Sequence, residues 1–106
     1  MAEVVWTEPA LQELDALAEY IALDNPAAAR QLVSTVFEKT KRLEDFPQSG
    51  RTPPELPNSV YRELVAPPCR IFYREDGQRV FILYVMREER LLRALMLGNM
   101  DSPHKP

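Results

Sequence analysis

Between residues 60 and 93 the chain reads VYRELVAPPCRIFYREDGQRVFILYVMREERLLR, three runs of β-branched and aromatic residues broken by Ala66-Pro67-Pro68 and by Asp76-Gly77. Short runs of this kind bounded by turn residues form strands. They predict a strand from Val60 to Val65, a second from Cys69 to Glu75, and a third beginning at Arg79. Asp76-Gly77 suits the centre of a two-residue type I′ turn, which needs positive φ at both central positions. Pairing outward from that turn sets Arg74 opposite Arg79, Tyr73 opposite Val80, Phe72 opposite Phe81, Ile71 opposite Ile82 and Arg70 opposite Leu83. Side chains alternate between the faces of a sheet. This register therefore predicts Ile71, Tyr73, Val80, Ile82 and Tyr84 on one face. Arg70, Phe72, Arg74, Arg79, Phe81, Leu83 and Val85 fall on the other.

The first half of the chain carries the helical periodicity. Glu3 to Thr7 reads as a short strand, and Thr7-Glu8-Pro9 as a helix start: a hydroxyl cap, an acid near the positive end of the dipole, and a proline where no N–H is needed. Leu11, Leu14, Leu17, Ala18 and Ile21 then recur at helical spacing. Asp24-Asn25-Pro26 closes this helix and opens a second, with Asn25 as its cap and Pro26 as its first residue. The second helix aligns Ala29, Leu32, Val33, Val36, Phe37, Thr40 and Leu43, and its last turn carries Lys39, Lys41 and Arg42. So short a connection implies an antiparallel helical hairpin. Residues 47–58, PQSGRTPPELPN, hold four prolines and a glycine, and read as an ordered surface loop internal to one fold.

Residues 88–98, EERLLRALMLG, allow a short terminal helix or a fifth strand, and DSPHKP reads as a frayed tail. The expected fold class is α+β in the order β-α-α-β-β-β, with a helical hairpin on one face of a small antiparallel sheet. Residues 1–98 are expected to form a single domain and residues 99–106 a flexible tail. At 106 residues the chain supports one core, and a single cysteine allows no internal disulfide, which suits a reducing cytoplasm. No apolar stretch approaches a membrane span. The net charge of -3 disfavours nucleic acid as the main partner, since proteins that grip phosphate backbones carry a positive excess.

Several chemistries are excluded by residue type. Three glycines, Gly50, Gly77 and Gly98, cannot make a Walker loop or a dinucleotide fingerprint, so no nucleotide cofactor is expected. The sole histidine, His104, lies in the tail and cannot anchor a triad or a metal centre. Cys69 follows two prolines at a strand start and reads as a buried apolar residue rather than a nucleophile. Neighbouring carboxylates such as Glu44 and Asp45, or Glu88 and Glu89, read as solvated charge. No catalytic and no metal-binding residue is expected. The first 29 residues hold six acids and no base, whereas arginines concentrate after Tyr61. Arg70, Arg74 and Arg79 beside Phe72, Phe81 and Leu83 make the kind of mixed patch that interfaces favour. Arg87, Arg90 and Arg93 add basic contacts toward the C-terminus.

The opening VVWTEPALQELDALAEYIALDNPAAARQL, with YRELVAPPCRIFYRED at 61–76 and VFILYVMREERLLR at 80–93, resembles the RelE/ParE toxins of bacterial toxin-antitoxin modules. The resemblance runs from Val4 to about Arg93. It implies a bacterial cytoplasmic toxin that forms a hetero-oligomer with a cognate ParD-like antitoxin. RelE-like members cut messenger RNA in the ribosome, using basic sheet residues with a C-terminal tyrosine or histidine; ParE-like members poison DNA gyrase. Arg70 matches the sheet arginine of the RelE-like pattern, and Arg87 or Arg90 matches its later basic residue. Where an aromatic or imidazole acid/base should follow, this chain has Leu91, Leu92 and Ala94. Tyr84 falls on the packed face in the register above. The resemblance thus points to the ParE-like branch, a gyrase inhibitor without catalysis of its own. A RelE-like nuclease and a non-toxic relative that only binds an antitoxin are the alternatives.

Overall fold

The computed structural model describes residues 1–90. Its elements are β1 (Glu3–Trp6), α1 (Glu8–Ala22), α2 (Pro26–Lys41), a 3-10 turn (Arg42–Glu44), β2 (Arg62–Ala66), β3 (Cys69–Glu75) and β4 (Arg79–Arg87). The α+β order expected from sequence is the observed one. The expected terminal helix or fifth strand, the tail and Arg93 lie outside the described residues.

Both helices begin on the predicted caps. Thr7 Oγ1 accepts the Ala10 N–H at 3.4 Å and donates to the Ile82 carbonyl at 2.7 Å, so the cap also stitches α1 to β4. Asn25 Oδ1 accepts the Ala28 N–H at 3.1 Å. From α1, Ala10 and Leu14 are buried; from α2, Ala29, Leu32, Val36 and Thr40. Leu11, expected on the buried stripe, is 42% exposed, and Ala10 takes the inward position instead. Phe37, also expected inward, is 41% exposed and leans on Trp6 with ring centroids 4.9 Å apart. A bulky ring at the edge of the stripe covers the end of β1 rather than the centre of the sheet.

The sheet runs β1-β4-β3-β2. It is mixed rather than antiparallel throughout, because β1 pairs with β4 in parallel, Val4 with Val80 and Trp6 with Ile82. Parallel neighbours need a long crossover. Everything between Trp6 and Arg79 supplies it here, leaving β1 at one edge and completing the sheet by a meander from the other. The main core lies between helices and sheet and gathers Leu14, Leu32, Val36, Leu43, Ile71, Tyr73, Val80, Ile82 and Val85, with Cys69 buried among them as expected. Each fully buried aliphatic side chain contributes about 1.5–3 kcal/mol of transfer free energy.

The β3–β4 register departs from the sequence expectation in two places. Asp76 Oδ1 accepts the N–H groups of Gln78 and Arg79 at 3.1 and 2.8 Å, and the Asp76 N–H donates to the Arg79 carbonyl at 3.0 Å. Asp76 thereby flanks the turn, and Gly77-Gln78 forms its centre. Gly77 has φ +93° while, among the described residues, no non-glycine residue has positive φ, so the turn is not type I′. These N–H groups also hold the Asp76 carboxyl below its ordinary range. Pairing therefore sets Glu75 opposite Val80, Arg74 opposite Phe81 and Tyr73 opposite Ile82.

The ladder then shifts, Phe72 pairing with Tyr84 and Ile71 with Val85. Leu83 is the extra residue, a β-bulge, and beyond it every side chain exchanges faces. Val85, expected away from the helices, belongs to the helix-facing core. Tyr84, expected toward the helices, packs on the opposite face with Phe72, Leu83 and Met86.

The proline loop wraps the β2 edge. Arg51 and Glu63 exchange backbone hydrogen bonds at 3.1 and 2.7 Å. The Gly50 N–H donates to the Tyr73 hydroxyl at 2.8 Å, and Arg62 donates to the Gly50 carbonyl at 2.9 Å. Further on, Leu56 packs into the cluster on the face away from the helices.

Candidate interaction surface

The face of the sheet turned away from the helices carries the predicted arginine and aromatic group, and the structure divides it into an interior part and an outward part. Phe72 and Leu83 are 0% and 1% exposed, with Leu56, Tyr61 and Phe81 packed against their cluster. The open patch expected from sequence is therefore largely closed, and part of its cover comes from the proline loop and the start of β2.

Arg70 is interior as well, at 6% exposure. It projects from β3 over the Phe72 ring, with its guanidinium carbon 4.9 Å from the centroid. Nε and NH2 donate to Glu63 Oε1 at 3.2 and 2.7 Å. NH1 and NH2 donate to the two carboxylate oxygens of Glu55 at 2.8 and 2.7 Å. NH1 also donates to the Arg90 carbonyl at 2.9 Å. Its hydrogen bonds to the Glu55 carboxylate, followed by those to Glu63, raise the Arg70 pKa, so it is a permanent cation. Glu63 is fully buried and pairs on its second oxygen with Arg51, whose side chain is 59% exposed. Buried charges persist where they are paired and hydrogen-bonded in this way.

The outward part lies at the turn end of the same face. The Arg74 and Arg79 guanidiniums lie 4.9 and 5.2 Å from the centroid of the half-buried Phe81 ring. Arg79 is 54% exposed at its side chain and approaches Asp76 at 3.5 Å. Stacking on a ring gives a guanidinium a fixed orientation while its in-plane N–H groups remain directed sideways.

Arg87 belongs to the helix side. It pairs with Cys69 across the ladder, sits 5.8 Å from the Tyr20 ring centroid and bonds Glu89 at 2.7 Å. Tyr20 and Leu23 are exposed there, 64% and 86%, beside a cleft of about 730 Å³ reaching to Pro68. The Arg90 side chain is exposed and only its carbonyl joins the Arg70 cluster.

The residues that sequence reasoning missed are Glu55, Glu63 and Met86, and Tyr84 was named but set on the wrong face. Glu63 was recoverable, since strand periodicity puts it on one face with Tyr61 and Val65, and Val65 pairs with Arg70. Glu55 had no such signal, because an irregular loop carries no periodicity from which to place it.

Residues 4–92 match the family model for the ParE toxin of the type II toxin-antitoxin system parDE. Toxin RelE2 of Caulobacter vibrioides is 34% identical over 93 residues, spanning 86% of this chain and 100% of that protein. A putative toxin, Y4kP, of Sinorhizobium fredii is 38% identical over 81 residues, 76% of this chain and 82% of the relative. Among solved structures, a chain of the chromosomal ParDE system from P. aeruginosa superposes with a TM-score of 0.71 at 26% identity, covering 84% of this chain and 98% of that one. The match spans both helices and the whole sheet, so the chain belongs to the ParE toxin family of type II toxin-antitoxin systems, within the RelE/ParE superfamily.

Proposed function

We propose that this toxin acts by binding DNA gyrase without chemistry of its own, and that a cognate ParD-like antitoxin neutralises it by binding. The observation that carries this reading is the state of Arg70. A guanidinium that is to stabilise a developing phosphate charge needs donors aimed at the substrate, and those of Arg70 are aimed at Glu55, Glu63 and Arg90. What the arginine face offers outward is the Arg74–Phe81–Arg79 stack, a recognition surface of the kind found at interface hot spots. The family match and the likeness to a chain of a ParDE system support the pairing with an antitoxin.

The ribosome-dependent nuclease is the second reading, and one observation favours it: Tyr84 shares the face of Arg70 instead of pointing at the helices. Purified full-length protein should inhibit supercoiling by gyrase, and Phe81→Ala should weaken that inhibition by tenfold or more, as loss of a hot spot worth about 2 kcal/mol requires. Unimpaired supercoiling at stoichiometric excess of the toxin overturns the gyrase reading. Codon-phased messenger cleavage in a translating extract would install the nuclease in its place.

A further inference from the structure

The Arg70 guanidinium has five N–H donors, and each has an acceptor within the protein: Nε on Glu63, one NH2 hydrogen on Glu63 and the other on Glu55, one NH1 hydrogen on Glu55 and the other on the Arg90 carbonyl. The acceptors come from three different segments. Glu55 belongs to the proline loop, Glu63 to β2, and Arg90 to the turn that follows β4. The loop is also held near Glu55 by Leu56 in its apolar cluster and by the Arg51–Glu63 bridge. The turn after β4 is held by the Glu88 N–H on the Pro68 carbonyl at 2.9 Å. Arg70 donates hydrogen bonds to both.

We propose that Arg70 is a positioning residue, a clasp that makes the loop around Glu55 and the turn at residues 88–90 one mechanical unit and makes no contact of its own with a partner or target. This inference goes beyond the gyrase reading and does not depend on it. Its physical basis is the geometry of the fork. A guanidinium can hold a carboxylate bidentately and still spare a hydrogen for a carbonyl. A lysine ammonium, a point charge with three donors, cannot reproduce that pattern.

The test uses Arg70→Lys, Glu55→Gln and the double variant in the full chain. Amide hydrogen exchange is followed at Arg51 and Leu56 in the loop and at Glu88 and Arg90, with the α1 amides as internal reference. Each single variant should speed exchange in both segments by about tenfold or more while α1 keeps its protection. The double variant should add little to the faster single, because one clasp can be lost only once. If Glu55→Gln loosens the loop and leaves residues 88–90 protected, or if the two changes simply add, the coupling is absent and the inference fails.

Growth arrest on expression in a bacterial host supplies the functional arm, whatever the molecular target. Glu55→Gln leaves the arginine in place with donors released. A contact arginine would then keep its potency, whereas a positioning arginine loses as much from Glu55→Gln as from Arg70→Lys. Retained arrest with Glu55→Gln beside lost arrest with Arg70→Lys overturns the proposal. If the wild-type chain causes no arrest, the exchange measurement decides alone.

Discussion

Gly50 is the point where the loop comes closest to the sheet, and replacing it by alanine puts that approach to a quantitative test. A Cβ at Gly50 would lie 2.6 Å from the Tyr73 hydroxyl, 2.7 Å from the Glu63 carbonyl oxygen and 2.7 Å from Tyr73 Cε1. Ordinary contact begins at 3.4 Å, so the nearest pair is 0.8 Å too close (3.4 − 2.6). Neither neighbour can yield readily. Tyr73 is fully buried on a central strand, and the Glu63 carbonyl already accepts the Arg51 N–H at 3.1 Å.

The loop must lift instead, which breaks the Gly50 N–H bond to the Tyr73 hydroxyl and strains the Arg62 bond to the Gly50 carbonyl. Overpacking of this kind costs about 1–3 kcal/mol, and the lost hydrogen bond about 1 more. The sum of about 2–4 kcal/mol is a large share of the ~5–15 kcal/mol that stabilises a domain of this size. Urea denaturation at neutral pH reads it directly: with a slope near 1.5 kcal/mol per molar, the midpoint should fall by roughly 1.3–2.7 M at constant slope. Tyr73→Phe, which loses only the bond, should cost about 1–2 kcal/mol. The double variant should cost less than the sum, since the phenylalanine removes the nearest clashing atom. A Gly50→Ala midpoint within about 0.3 M of wild type would refute the close approach.

Two further outcomes follow from burial. Arg70→Met should destabilise by about 3–5 kcal/mol, because it leaves the fully buried Glu63 to Arg51 alone. Arg51→Met, at a side chain that is 59% exposed, should cost about 1 kcal/mol or less; equal losses in denaturation would show that Arg70 is not the partner that matters. Burial pushes the Cys69 thiol up from 9.0 to about 11, with Arg87 opposing and Glu88 and Glu89 adding. The unfolded thiol ionises first as pH rises, so this stabilisation is intact below about pH 9 and is lost through about pH 11, by at most a few kcal/mol. Stability measured at both ends of that window should fall more for wild type than for Cys69→Ala, and parallel curves would contradict a buried thiol.

Element order, both helix caps and the hairpin between β3 and β4 were legible in the sequence because each is a local matter. Thr7 and Asn25 act within one helical turn, apolar periodicity marks the face of its own helix, and Gly77 is needed where the backbone takes positive φ. Reading the turn as centred on Asp76-Gly77 failed because the Asp76 side chain captured two backbone N–H groups, a preference that moves the turn by one residue without altering its composition.

Tertiary structure decided the rest, above all through one inserted residue and one carboxylate from the loop. Leu83 bulges where the ladder from β1 ends and Thr7 bonds the Ile82 carbonyl, and that extra residue sends Tyr84 to one face and Val85 to the other. Arg70 reads as a surface arginine until the loop brings Glu55 to it across 15 positions. A strand pattern reports that a side chain leaves the sheet on a given side. Whether it then meets water, a partner or a buried carboxylate depends on contacts between segments that share no periodicity, and only the folded chain brings those together.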